Sequence, residues 1–332
     1  MAGQKKIAVI GGGSWATAIV KMLCNNVKTV NWWMRNKAAA AHLLKYQHNP
    51  NYLSSVEFNR EKINVSTDLR EIIAQSDVLI MATPSAFLHD LFKNQPKDGI
   101  KDKIVFSAIK GIVPEQHEIP ATYFHNQFDV PYENIGIISG PCHAEEVAME
   151  RLSYLTISCQ TEPTAQMLAD LLSCRYIKAT VTEDIFGTEY SAVLKNIFAI
   201  ASGICNGLGY GDNFQAVLIA NAIQEINRFV DAVSPVHRDV KSSAYLGDLL
   251  VTAYSQFSRN RTFGTMIGKG YSVKAAQLEM AMVAEGYYAV GSIKEINKEL
   301  EVDMPIAEAV YNVLYERISP VVEMRILTEK LT

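Results

Sequence analysis

The stretch Ile7-Ala-Val-Ile-Gly11-Gly-Gly13-Ser-Trp-Ala16 constrains the fold most, because an apolar run ends in Gly-x-Gly-x-x-Ala and passes at once into the helical pattern Thr17-Ala-Ile-Val-Lys-Met-Leu. Strand, tight glycine turn and helix in that order open a parallel βαβ unit, whose sheet needs helices on both faces. Gly11 permits the tight turn, Gly13 lets a pyrophosphate approach the backbone, and small Ala16 lets the helix close on the strand. The helix N-terminus then offers unpaired amides and the positive end of its dipole. Dinucleotide binding is the expected role, and Ser14 and Trp15 are counted with Gly11 and Gly13 as cofactor contacts. A tight strand–helix turn without a ligand is the plainer alternative.

The same alternation of apolar runs and helical patterns continues to about residue 180. Strand candidates are 6–10, 29–33, 78–82, 104–108 and 135–139, followed by 152–159 and 176–181. Ligands of open α/β sheets collect at the carboxyl ends of strands, so Gly11, Thr83, Lys110 and Gly140 are expected to share one crevice. After Glu183 helical patterns take over, broken at Gly207-Leu-Gly-Tyr-Gly-Asp, Ser234-Pro, Gly264 to Gly270 and Met304-Pro. The fold class expected is α/β, with a mostly parallel sheet domain over 1–182 and an all-helical domain over 183–332. A chain of 332 residues is long enough for two cores.

Charge and cysteine usage narrow the function. A net charge of -4 gives no electrostatic case for nucleic acid or an acidic membrane, which leaves a small molecule as the expected partner. The five cysteines are scattered, without a Cys-x-x-Cys pair, and the seven histidines form no ligand motif, so no metal is expected. The apolar run after Lys5-Lys6 is four residues long, too short for a signal-peptide core, and there is no apolar stretch near 18 to 20 residues. The reading is of a cytoplasmic protein without a transmembrane segment, and a homodimer is compatible with it.

Three further segments carry chemistry. The second strand ends Trp32-Trp-Met34-Arg35-Asn36 with no carboxylate where an NAD-selective site bonds its ribose, so pairing of Arg35 with a 2′-phosphate favours NADP or mixed use, with an exposed loop arginine the plainer alternative. Lys195, in Gly187-Thr-Glu-Tyr-Ser-Ala-Val-Leu-Lys195-Asn196, sits at the edge of an apolar face formed by Tyr190, Val193, Leu194, Ile197, Phe198 and Ala201. Partial burial lowers an ammonium pKa toward the range useful for proton transfer, whereas the plainer alternative is a lysine whose head reaches water. Asp248 in Gly247-Asp248-Leu reads by itself as a helix N-cap, yet a carboxylate near Lys195 makes an acid/base pair. Ser258-Arg259-Asn260-Arg261 offers hydroxyl, guanidinium and amide groups suited to a phosphate and a neighbouring hydroxyl or carbonyl.

Together with Ala108-Ile-Lys110-Gly111, Ser139-Gly-Pro-Cys-His-Ala144 and Val283-Ala-Glu285-Gly286, these motifs follow the order seen in the NAD(P)-dependent sn-glycerol-3-phosphate dehydrogenases. The chain resembles the bacterial biosynthetic branch of that family over nearly its whole length. The resemblance implies a Rossmann-type domain and a helical domain, NADPH or NADH as cofactor, and reversible reduction of dihydroxyacetone phosphate to sn-glycerol 3-phosphate for glycerophospholipid synthesis; the alternatives are a related two-domain dehydrogenase of another keto or hydroxy acid and a non-catalytic dinucleotide-binding regulator. It implies Lys195 as proton donor and acceptor. Substrate contacts implied are Lys110, Gly140, Cys142, Lys195, Asp248, Ser258, Arg259 and Asn260. Lys110, Ala144, Arg259, Val283 and Glu285 join the cofactor contacts. Two departures stand out: Ala16 replaces a common glycine, and Pro141-Cys142-His143-Ala144 replaces the usual Pro-Thr-Phe-Ala.

Overall fold

A computed structural model describes residues 5–280 and 284–332. The chain divides into two compact units, one of residues 1–83, 87–109 and 120–185, the other of 84–86, 110–119 and 186–332.

The first unit is built on eight strands: β1 (Ile7–Ile10), β2 (Val30–Trp33), β3 (Ile63–Ser66), β4 (Val78–Met81), β5 (Ile104–Ser107), β6 (Ile135–Ser139), β7 (Ser153–Cys159) and β8 (Ile177–Thr182). Their order is β3-β2-β1-β4-β5-β6-β7-β8. Every pair is parallel except β6 with β7. The chain reverses direction across the sheet between β1 and β4, the switch point at which doubly wound sheets hold ligands. β1, β2, β4 and β5 are buried at every position, as strands covered on both faces must be. β3 was not expected from the sequence. It is an edge strand with only Ile63 fully buried, so Ile63-Asn-Val-Ser shows no apolar run. Seven helices belong to this unit: α1 (Ser14–Leu23), α2 (Lys37–Tyr46), α3 (Leu69–Ala74), α4 (Leu88–Phe92), α5 (Pro120–Phe128), α6 (Ala144–Ala148) and α7 (Glu162–Leu172).

The second unit is helical: α8 (Ile185–Gly207), α9 (Asp212–Val233), α10 (Asp248–Tyr254), α11 (Arg259–Gly268), α12 (Val273–Glu279), α13 (Glu285–Leu300), α14 (Pro305–Leu314) and α15 (Pro320–Thr328). Every residue of α8 from Gly187 to Cys205 is buried, so it has no wet face and serves as the axis of the unit. The breaks expected after Gly207, at Ser234-Pro and at Met304-Pro fall where helices end or begin. The break expected from Gly264 to Gly270 falls at the end of α11, which closes at Gly268, while Gly264 itself lies inside that helix. A Cβ on Gly264 would overlap the carbonyl oxygen of Ile200, and one on Gly203 the carbonyl oxygen of Arg261, so the glycines here let α8 and α11 cross backbone against backbone. No helix among the described residues is long and apolar enough to cross a membrane.

Candidate active site

Because α8 is buried all round, each of its polar side chains needs a partner inside the protein. Ser202 finds Gln215, at 2.8 Å, and the carbonyl of Ala253. Lys195 is only 3% exposed, and its Nζ donates to Asp248 Oδ1. The lysine is therefore fully within the core rather than at the edge of a packed face, and its head does not reach water. A single π-helical turn, Ser243–Gly247, leads into α10 and delivers Asp248 as its first residue. The N-cap of α10 is Gly247 and Asp248 is spent on the ion pair, which overturns the capping alternative. Such π turns recur at functional sites because they re-aim one side chain.

A second ammonium faces the same carboxylate. Lys110 Nζ lies 3.6 Å from Asp248 Oδ2, and the Lys110 backbone is held by Asn196, whose Nδ2 donates to its carbonyl at 2.6 Å. Lys110 thus belongs to the helical unit, not to the sheet whose strand β5 precedes it. Desolvation pulls the Lys195 pKa down most strongly, the Asp248 charge opposes it, and the Lys110 charge lowers it again, with the outcome at about 7. A buried acid poised near neutrality, held by a carboxylate and backed by a second cation, can give a proton to a developing alkoxide.

In the same unit, Ser258 caps α11 with its Oγ accepting from Arg261 N at 3.3 Å, and Asn260 Oδ1 accepts from Gly286 N at 3.0 Å. Both side chains are buried, while Arg259, the first residue of α11, is exposed. Glu285 opens α13, its two oxygens accepting from Ser85 N at 3.0 Å and Ser85 Oγ at 2.5 Å. Burial raises the Glu285 pKa, against the Ser85 hydrogen bonds and the nearby Arg259 charge. Ser85 and Asn196 were not among the expected site residues. Asn196 carried a signal, a polar side chain in a greasy helix, and Ser85 carried only its place beyond β4. Val283 lies outside the described residues.

In the sheet unit, Gly11 has φ +146° and no room for a side chain against the Ala82 carbonyl, while the space above Gly13 is open for 4 Å. Ser14 and Trp15 begin α1. Arg35 is exposed past the end of β2, its guanidinium 5.1 Å from the centre of the Phe87 ring. Gly140 follows β6 with φ +104°. Cys142 and Ala144 are buried in the hydrophobic core of this unit. Among the described residues no group of three or more His, Cys, Asp or Glu side chains could hold a metal ion.

Residues 6–165 match the family model described as NAD-dependent glycerol-3-phosphate dehydrogenase N-terminus, and residues 184–325 the corresponding C-terminus model. The chain belongs to the NAD-dependent glycerol-3-phosphate dehydrogenase family. It is an oxidoreductase with NAD or NADP as its cofactor. Relatives named glycerol-3-phosphate dehydrogenase (NAD(P)+) include those of Staphylococcus carnosus, 33% identical over 95% of each chain, and of an Exiguobacterium species, 34% identical over 98% of this chain and 95% of the relative. The crystal structure of the Coxiella burnetii glycerol-3-phosphate dehydrogenase superposes with a TM-score of 0.91 at 26% identity, covering 98% of this chain and 99% of that one.

Proposed function

We propose that this member of the family catalyses the reversible reduction of dihydroxyacetone phosphate to sn-glycerol 3-phosphate, with Lys195 as proton donor and acceptor. The observation that carries the reading is the buried Lys195–Asp248 pair with Lys110 on its other oxygen. The open, amide-lined turn above Gly13 fits a nicotinamide dinucleotide, held in this reading by Gly11, Gly13, Ser14, Trp15, Arg35, Lys110, Ala144, Arg259, Val283 and Glu285. When bound, that cofactor supplies the hydride for the ketone carbon.

The side chains manage charge and position. Lys195 Nζ gives its proton to the ketone oxygen as the C–H bond forms, and the alcohol returns it to the neutral amine in the oxidation. Asp248 orients the ammonium, and Lys110 adds positive charge where the alkoxide develops. Arg259, at the amino end of α11, suits the substrate phosphate, since guanidinium fork and helix dipole both favour an anion there. Ser258 and Asn260 complete that clamp, with Gly140 and Cys142 in the proposed substrate loop. With this function go a cytoplasmic location and the supply of sn-glycerol 3-phosphate to glycerophospholipid synthesis.

The test is oxidation of NADPH, and separately NADH, with dihydroxyacetone phosphate compared against unphosphorylated dihydroxyacetone. Turnover should require the phosphate, and Lys195→Ala should keep NADPH binding while losing about 10²–10⁴-fold in turnover. Near-parent activity in Lys195→Ala refutes the proton-transfer role; turnover only of unphosphorylated keto acids refutes the substrate.

A further inference from the structure

We propose that Trp32, Asn49 and Thr17 are positioning residues that aim the backbone amides of the Gly11–Ser14 turn at the cofactor pyrophosphate. The inference rests on the dinucleotide reading of that turn. Three consecutive carbonyls of the turn are each taken by a side chain from a different segment. Trp32 Nε1, on β2, donates to Gly11 O at 2.7 Å. Asn49 Nδ2, in the segment after α2, donates to Gly12 O at 3.1 Å. Thr17 Oγ1, on α1, donates to Gly13 O at 2.9 Å and itself accepts from Asn49 Nδ2 at 2.9 Å. Asn49 Oδ1 accepts from Asn51 N at 3.1 Å, which settles which end of its amide faces Gly12. All three side chains are fully buried, and the residues they hold, Gly12 and Gly13, are partly exposed.

The geometry of the peptide bond turns this harness into an aiming device. A trans peptide is planar, with its N–H pointing opposite to the preceding C=O. Pulling the carbonyls of Gly11, Gly12 and Gly13 into the protein therefore points the N–H groups of Gly12, Gly13 and Ser14 outward. None of these three amides donates to a backbone or side-chain acceptor among the described residues. The need for such a harness is local. Peptide planes flanked by glycines on both sides flip at little steric cost, and a flipped plane would present a carbonyl to an anion. The glycines that let a pyrophosphate come close leave the Gly11–Gly12 and Gly12–Gly13 planes without a preferred orientation, which Trp32 and Asn49 supply, while Thr17 holds the Gly13 carbonyl through its hydroxyl and through its backbone N–H at 3.0 Å.

The test measures the NADPH dissociation constant, from the fluorescence of bound nicotinamide and without substrate. Asn49→Ala and Thr17→Val should each weaken binding about tenfold, the worth of one to two hydrogen bonds, while Thr17→Ser, which keeps the hydroxyl, stays near the parent. At saturating NADPH kcat should remain within about twofold of the parent, so the loss falls on cofactor KM. Asn31→Ala serves as control: it removes a buried amide bonded to Ser76 Oγ at 2.8 Å in the same unit, and should lower Tm without changing NADPH affinity. NADPH affinity within twofold of the parent in both Asn49→Ala and Thr17→Val overturns the proposal, whatever their Tm. Should Asn49→Ala fail to fold, the Thr17→Val and Thr17→Ser pair decides alone. A parent chain that binds no NADPH overturns this inference together with the dinucleotide reading; one that binds NADPH but leaves dihydroxyacetone phosphate unreduced overturns only the proposed function.

Discussion

Replacing Asp248 by asparagine keeps the shape of the site and removes the carboxylate that faces both lysines. In the parent, desolvation and Lys110 push the Lys195 pKa down and Asp248 pushes it up, with the outcome at about 7. Without the carboxylate the two downward effects act alone, and loss of a close opposite charge is worth about 1–3 pKa units. A fall of about two units takes the protonated fraction of Lys195 at pH 7 from about one half to about one hundredth, so kcat/KM for dihydroxyacetone phosphate should drop about fiftyfold. The assay is kcat/KM for reduction at saturating NADPH, measured between pH 5 and 9 in parent and Asp248→Asn. The parent rate should fall as pH rises through about 7, and in the variant the descending limb should shift to lower pH. An unmoved limb with a rate within about threefold of the parent refutes the electrostatic role of Asp248. The same depressed pKa sets a sign for stability. Between about pH 7 and the ordinary lysine value of 10.5, the unfolded chain holds the Lys195 proton more firmly than the fold does. Raising pH through this window therefore favours the folded state, and below it the full cost of the buried charge remains.

Two other perturbations probe the remaining structure. Arg35→Ser should raise KM for NADPH about tenfold to a hundredfold and leave KM for NADH nearly unchanged, because in the proposed site only the 2′-phosphate pairs with the guanidinium; equal effects on both cofactors in steady-state assays would remove Arg35 from selectivity. Gly264→Ala should destabilise the chain by about 1–3 kcal/mol, since its methyl would overlap the Ile200 carbonyl, and the melting temperature should fall by about 3–10 °C. A melting temperature equal to the parent's would show that α8 and α11 separate at little cost.

The sheet unit was largely legible because its signals are local. A continuous apolar run buried on both faces, as in β1 and β4, cannot be read as a surface segment, and Gly-x-Gly-x-x-Ala after such a run leaves few backbone conformations open. β3 escaped because an edge strand needs only one buried side chain, and the break from Gly264 to Gly270 was begun one turn too early because a glycine used for helix crossing looks in sequence like one used to end a helix. The order of motifs along the chain was enough to place it in its family.

The sequence determined which groups the proposed site has to work with: a lysine in a greasy helix, a carboxylate 53 residues later, and a glycine turn at the start. It could not determine their state. That Lys195 is buried on every side, that Asp248 pairs rather than caps, and that Lys110 joins the helical unit all depend on residues distant in sequence meeting in space. The same holds for the three donors that orient the glycine turn, which come from β2, α1 and the segment after α2. Local pattern fixes which elements form, because propensity and periodicity act over a few residues. Desolvation, charge pairing and amide direction act through space, and only the packed chain sets them.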